Sequence, residues 1–326
     1  MDNSRRILVT GALGQIGSEL TGVLRSKHGA DRVVASDIRE PSGGTLATDG
    51  PWAHLDVTDR IQVDHVLRKF DIGSVYHMAA ILSATGEQNP ALCWQVNMDG
   101  TRNLLDAAVE MELDTLLVPS SIAAFGPETP RRDTPQETVL KPKTMYGVTK
   151  VAGELLCDYY VIRYGLDVRG LRYPGIISSE TLPGGGTTDY AVDIYYKAVE
   201  QGYYKCFVRE DTRLPMMYMP DCIKATMDLA AADFGNLQHH SDFNVGALSF
   251  TAGELAESIR RHIPGFRVTY DPDYRQAIAD TWPMSIDDSV ARQEWGWKPD
   301  WDLDAMTGDM LEKLSERHGR GMLYPE

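Results

Sequence analysis

Tyr146 and Lys150 stand four residues apart in a stretch of predicted helix, Tyr146 to Tyr164, so their side chains leave one face and can enter one cleft. A phenol titrates near 10 in water, too high for an efficient base at neutral pH. An ammonium group beside it favours the phenolate, each unit of depression being about 1.4 kcal/mol of differential stabilisation. The pair therefore predicts removal of a proton from an alcohol, with Lys150 lowering the pKa of Tyr146. No other Tyr-x-x-x-Lys occurs in the chain. A third group is needed to hold the alcohol oxygen. Ser121, just past the strand-like run Thr115 to Ser120, is placed to do so; Ser120 is the competing candidate, because periodicity does not order the two.

Oxidising an alcohol also requires a hydride acceptor. The first apolar run, Ile7 to Thr10, leads into Gly11-Ala12-Leu13-Gly14-Gln15-Ile16-Gly17, and a helical segment, Ile16 to Lys27, follows. Glycines at such a strand–turn–helix junction let the backbone approach a pyrophosphate at the helix N-terminus, although the same spacing also serves tight helix–strand packing. Asp37 closes the second run, Val33 to Ser36, 20 residues beyond Gly17, where a carboxylate can accept both ribose hydroxyls of NAD. Arg39 nearby offers the opposite preference, for a 2′-phosphate. Asp56 and Val57 follow a third apolar segment and can hold the adenine edge.

These residues need a scaffold that brings several strand ends together. Ile7 to Thr10, Val33 to Ser36, Ser74 to Ala79 and Thr115 to Ser120 read as buried strands, alternating with crossover helices Ile16 to Lys27, Trp94 to Met111 and Tyr146 to Tyr164. Strand and helix in turn predict an α/β fold, a doubly wound parallel sheet with helices on both faces. Gly29 and Gly165 sit where left-handed helix caps are expected. The second half is less regular. It holds a loop, Pro183-Gly184-Gly185-Gly186-Thr187-Thr188, an aromatic helix Tyr190 to Tyr203, a Met-rich strand at Met216 to Met219, and a C-terminal part rich in Trp, Pro and Asp. No long linker separates the halves. Residues 1–175, with a return segment 213–248, are expected to form the cofactor-binding part, and 176–212 with 249–326 a smaller substrate-binding part.

Of the 326 residues, 43% are hydrophobic and 24% charged, an ordinary globular balance. A net charge of −15 argues against nucleic acid or an anionic membrane surface as partner. Cys93, Cys157, Cys206 and Cys222 lie far apart with no zinc spacing, so no metal site is expected and a reducing cytoplasm fits. Met1 to Arg6 leaves no room for a signal peptide, and no apolar run has membrane-spanning length. His239-His240 reads as a surface turn, the methionines at 216, 217 and 219 as core filler, and Trp282-Pro283 and Trp295 to Trp301 as packing of the C-terminal part, with substrate walls as the alternative.

Taken together, Thr10 to Gly17, Tyr76-His77-Met78-Ala79-Ala80, Ser121 to Gly126, Tyr146 to Lys150 and Arg172-Tyr173-Pro174-Gly175 resemble the extended short-chain dehydrogenase/reductase family, with its Rossmann-type fold. The likeness covers almost the whole chain. Phe125 and Arg172-Tyr173-Pro174-Gly175 depart from the sugar-nucleotide enzymes of that family. Gly11 to Gly17, residues 183–193 and Pro215 to Met219 resemble instead the branch that oxidises L-threonine at C3. The resemblance implies Ser121, Tyr146 and Lys150 as the catalytic set. It implies a cofactor site for NAD made by Gly11, Gly14, Gln15, Ile16, Gly17, Asp37, Ile38, Asp56, Val57, Met78, Ala79, Ala80, Asn97 and Tyr173, together with Tyr146 and Lys150. It implies L-threonine as substrate, held by Ser83, Ser121, Tyr146, Gly186 and Thr187, with the glycine loop offering free N–H groups to its carboxylate, and a homodimer built on the helices near Asn97 to Met111 and Tyr146 to Tyr164. Two rivals stand beside this reading: a sugar-nucleotide epimerase or dehydratase with tightly bound NAD, and a non-catalytic NAD(H) sensor.

Overall fold

Leucine and valine runs buried on both faces pair only in parallel through the first half of the chain. The computed structural model describes residues 5–41, 43–182 and 184–324. The first four residues of the N-terminal reading, and Pro183 of the loop, lie outside the described residues. The order is β1 (Arg6–Thr10), α1 (Gln15–His28), β2 (Val33–Asp37), α2 (Thr45–Thr48), β3 (Trp52–His54), α3 (Arg60–Lys69), β4 (Ile72–His77), α4 (Ser83–Gln88), α5 (Pro90–Trp94), α6 (Gly100–Glu110), β5 (Thr115–Leu117), β6 (Ser120–Ser121), α7 (Met145–Tyr164) and β7 (Val168–Arg169). Six of these strands form one parallel sheet in the order β3-β2-β1-β4-β5-β7, the doubly wound α/β arrangement. The strand order reverses between β1 and β4, and ligands of such sheets bind outside the C-terminal ends of the strands at that point.

Two expected elements are broken, and both breaks bear on the site. The helix expected over Trp94 to Met111 is divided into α5, a π-helical turn Gln95–Asp99 and α6. The strand expected over Thr115 to Ser120 ends at Leu117. Pro119 cannot donate to a ladder, and the chain re-forms as β6 against residues Leu171–Tyr173 in a different sheet. Gly165 adopts the left-handed cap (φ 66, ψ 20), whereas Gly29, at φ 97 and ψ 140, does not.

The remaining elements are β8 (Leu171–Tyr173), β9 (Gly175–Ile177), α8 (Tyr190–Gln201), β10 (Tyr203–Cys206), β11 (Arg213–Tyr218), α9 (Met219–Ala231), β12 (Phe243–Asn244), β13 (Leu248–Thr251), α10 (Ala252–His262), β14 (Arg267–Tyr270), α11 (Tyr274–Ala279), α12 (Ser289–Trp295) and α13 (Leu303–Gly319). β8 lies between β6 and β12. β11 lies between β9 and β13. Met217, Met219 and Cys222 share a buried cluster with Leu20 and Leu24 of α1, so residues 213–231 return the chain to the cofactor side. A second cluster gathers Tyr190, Tyr195 and Tyr196 of α8, Leu255 and Ile259 of α10, and Met306 and Met310 of α13. Tyr146 and Trp282 belong to that second cluster.

Candidate active site

A cleft of about 720 Å3 opens where β1 and β4 diverge. Its cofactor-side wall begins at the glycine turn. Gly11 is left-handed (φ 64), and a Cβ there would lie 2.6 Å from the Ala79 backbone nitrogen; a Cβ on Gly17 would lie 2.2 Å from the Gly11 carbonyl. Only glycine allows the turn to lie this close to the strand β4 exit. No side chain caps α1 at Gly14, so the first-turn N–H groups of residues lining the cleft are left for a ligand. The Gln15 side-chain nitrogen is buried with no partner. This cradle, with an orphaned donor and uncapped helix dipole, fits a pyrophosphate.

Asp37 ends β2 at the edge of the cleft and is 6% exposed. It accepts from the Leu13 N–H at 3.1 Å, and Arg39 Nε closes on it at 3.1 Å. Arg39 is therefore engaged by Asp37 rather than held out towards a 2′-phosphate. Ile38, Val57 and Asp56 border the same end; one Asp56 carboxylate oxygen accepts from Thr58. Met78, Ala79 and Ala80 follow β4 along the floor. Tyr173 also borders the cleft, but its hydroxyl bonds Thr226. Asn97 does not face the cleft. It sits in the π turn behind the wall, bonding the Ile81 N–H at 2.8 Å, the Ile81 carbonyl at 3.0 Å and Thr149 Oγ1 at 3.1 Å. The extra residue of the π turn aims it backwards, so it braces the segment after β4.

At the centre, Thr144 caps α7 by accepting from the Gly147 N–H at 3.1 Å, which sets the first turn that carries Tyr146. Lys150 follows one turn later, its Nζ 5.4 Å from the Tyr146 ring centroid and donating to the Pro119 carbonyl at 2.7 Å. The strand break at Pro119 thus supplies the lysine's acceptor. The two serines part company here. Ser120 turns inward and donates to Glu154, whereas the Ser121 hydroxyl accepts from the Ala123 N–H at 3.2 Å and borders the cleft together with Tyr146. The lowering of Tyr146 expected from the sequence is not what the protein produces by itself. Burial pushes the phenol up to about 12, with Ser121 opposing the rise. Burial also pushes Lys150 down to about 8, Glu154 opposing. Desolvation of both groups outweighs their neighbours. His77, beneath the cleft, is held down to about 3 by burial and by Lys150, so it is a neutral ring bonded to Thr10 at 2.8 Å.

The far wall comes from α4 and the glycine loop. Ser83 and Thr187 hydroxyls lie 3.0 Å apart, and the Thr187 N–H donates to Ser83 at 3.3 Å. The free N–H groups expected of this loop are already used: those of Gly185 and Gly186 donate to Asp189 Oδ2 at 3.1 and 2.8 Å. A short glycine loop before a helix turns back on the acidic residue that opens it. Asp189 lines the cleft, with burial raising it to about 6. Trp282, for which a substrate wall is the alternative to packing, does both: it lines the cleft and belongs to the core cluster, arriving from 136 residues beyond Tyr146. Asp189 stands directly after the Thr-Thr pair and could have been read from its neighbourhood.

A dinucleotide cradle at the switch point of a doubly wound sheet, joined to a Tyr–Lys–Ser centre, defines a nicotinamide-dependent dehydrogenase or epimerase of the Rossmann type. The chain belongs to the NAD dependent epimerase/dehydratase family, whose model matches residues 7–246. It is 49% identical over 311 residues to an uncharacterized epimerase/dehydratase of Staphylococcus saprophyticus, covering 95% of this chain and 97% of that protein. The structure of L-threonine dehydrogenase from Clostridium difficile is 50% identical, with a TM-score of 0.94 over 98% of this chain and 99% of that one. A monomeric L-threonine 3-dehydrogenase from a metagenome is 50% identical, with a TM-score of 0.92 over 95% and 99%. The chain is an NAD-dependent enzyme of the oxidoreductase type, and the residues lining its cleft fit that cofactor.

Proposed function

We propose that the protein oxidises L-threonine at C3 to 2-amino-3-oxobutyrate, passing the hydride to NAD+. The observation that carries this reading is the make-up of the substrate wall. Ser83, Thr187, Thr188, Asp189 and Trp282 offer hydroxyls, one carboxylate and an apolar face, and no arginine or lysine of that wall lines the cleft. A diphosphate would meet Asp189, while the ammonium of an amino acid would pair with it. A cleft of about 720 Å3 that must take a dinucleotide leaves room beside it for a small molecule. Solved relatives at half identity carry the same activity in their names.

The glycine turn from Gly11 to Gly17 would hold the pyrophosphate, Asp37 the adenosine ribose, Asp56 and Val57 the adenine edge, and Lys150 the nicotinamide ribose. When bound, NAD+ supplies the hydride acceptor and a positive charge acting on Tyr146 in the same direction as the Lys150 ammonium. Ser121 orients the substrate hydroxyl, Tyr146 Oη takes its proton, and the Lys150 ammonium favours the phenolate. Thr187 and Ser83 position the amino acid so that its C3 hydrogen lies within reach of the acceptor.

We also propose a cytoplasmic homodimer. Val148, Leu155, Tyr159 and Ile162 form an exposed stripe along α7, Leu155 and Ile162 being 66% and 85% exposed. The four cysteines are buried and free, as a reducing compartment allows. Among the described residues no helix is long and apolar enough to cross a membrane. Light scattering at micromolar concentration tests the dimer: twice the chain mass is expected, and the chain mass alone refutes it. The activity is tested by following NADH formation over a panel of 3-hydroxy amino acids and nucleotide sugars. L-threonine is expected to give the highest kcat/KM, and faster turnover of any nucleotide sugar would overturn the assignment.

A further inference from the structure

Behind the cleft wall lies an ion pair that the chemistry above does not use. Glu154, one turn after Lys150 on α7, is 4% exposed at its side chain and takes both arms of Arg172: Nε to Oε1 at 2.9 Å and Nη2 to Oε2 at 2.8 Å. Arg172 goes on to Asp242 at 3.3 Å, the Gln136 carbonyl at 3.1 Å and Asn244 Oδ1 at 3.2 Å. Glu154 and Lys150 both border a void of about 20 Å3, room for one water. A buried ion pair is commonly no more stabilising than apolar side chains of the same volume, so its presence behind a reactive lysine calls for a reason other than stability.

Two connections supply one. Glu154 accepts from the Ser120 hydroxyl, and Ser120 lies between Pro119, whose carbonyl holds Lys150 Nζ, and Ser121, which borders the cleft together with Tyr146. Fixing Ser120 therefore fixes the acceptor of the lysine and Ser121 beside it in one register. The second connection is charge. Lys150 is faced by Tyr146, Glu154 and Cys157 from its own helix, by Cys93 from α5 and by His77 from β4, while Arg172 and Asp242 stand beyond Glu154. Burial pushes both thiols and the phenol up and the imidazole down, and Glu154, held in its ion pair with Arg172, is the one acidic side chain in a salt bridge among the lysine's immediate neighbours.

We propose that Glu154 is a positioning residue for alcohol oxidation: through Ser120 it sets the segment that bears the Pro119 carbonyl and Ser121, and its carboxylate is the counter-charge to Lys150. This rests on the reading of Tyr146 and Lys150 as the proton-handling pair. Its test needs no substrate. With ε-13C-lysine incorporated and the Lys150 resonance assigned by its loss in Lys150→Met, the wild-type protein is expected to titrate near 8. Glu154→Gln should titrate lower by about one unit, because the ammonium loses its counter-charge. Ser120→Ala keeps the charge and loses the pin: its Lys150 titration should stay with wild type while kcat, on whichever alcohol the wild type oxidises, falls about tenfold. Should Glu154→Gln fail to fold, Glu154→Asp takes its place, with the titration kept and kcat lowered as in Ser120→Ala. A Lys150 titration unmoved in folded Glu154→Gln, or kcat within about twofold of wild type in Ser120→Ala or Glu154→Asp, would overturn the proposal. If L-threonine is not the substrate, the wild type alone reveals it, and the lysine titration still decides the role of Glu154.

Discussion

Tyr146 is shaped by three features of its surroundings: Thr144 fixes its turn, burial pushes its phenol up, and Ser121 opposes that rise. Tyr146→Phe keeps the packing and loses the acid–base oxygen. It is expected to lower kcat by roughly a hundred- to ten-thousand-fold while the Kd for NAD+, measured by calorimetry, stays within about threefold. Near wild-type turnover would remove Tyr146 from the chemistry. Thr187→Ala tests the opposite wall. Its hydroxyl meets Ser83 and borders the cleft, so KM for L-threonine should rise roughly tenfold with the Kd for NAD+ unchanged, and an unmoved KM would make Thr187 only a brace for Ser83. That Ser121, Tyr146 and Lys150 meet in one cleft was legible because each member sits at a fixed offset from a strand end or a helix start. The choice between Ser120 and Ser121 was not, since it depends on Glu154 lying behind one of them. The sign of the Tyr146 shift was missed for a related reason: spacing reveals a neighbouring charge but not how completely both groups are withdrawn from water.

At the level of elements, the strand–turn–helix junctions were readable from the glycines, and the breaks were not. Pro119 splits an apolar run that looks continuous, because the two pieces serve different sheets. The π turn at Gln95–Asp99 leaves no periodic trace, yet it swings Asn97 from the cleft to its back. The glycine turn makes a sharp prediction. Gly11→Ala forces a side chain into a left-handed position with its Cβ 2.6 Å from the Ala79 nitrogen. It should cost on the order of 2 kcal/mol or more and weaken NAD+ binding, read from denaturant midpoints and calorimetry. A variant as stable as wild type, with the same affinity, would show that the turn and the β4 exit are not in tight contact.

Across the whole molecule, the doubly wound arrangement could be anticipated from alternation alone, whereas the packing of α10 and α13 on α8 could not, because those contacts join residues far apart in the chain. One such contact ties the cofactor helix to the second part: Glu19 of α1 is raised to about 7 by burial and accepts from the Ser178 hydroxyl, with Lys313 and Arg317 of α13 nearby. Since its folded pKa lies above its ordinary 4.5, the folded state binds the extra proton between about 4.5 and 7, and stability is lost as pH rises through that window. Glu19→Gln should therefore flatten that part of the stability profile and exceed wild type by about 2 kcal/mol at pH 8; a parallel profile would contradict the assignment. The account as a whole turns on one transfer, from C3 of L-threonine to NAD+ that then leaves the protein. The direct measurement uses L-threonine deuterated at C3, with the released cofactor analysed by mass spectrometry. The account predicts one deuteron in free NADH for each 2-amino-3-oxobutyrate formed; no deuterated NADH in solution, or intact L-threonine beside an epimerised nucleotide sugar, would contradict it.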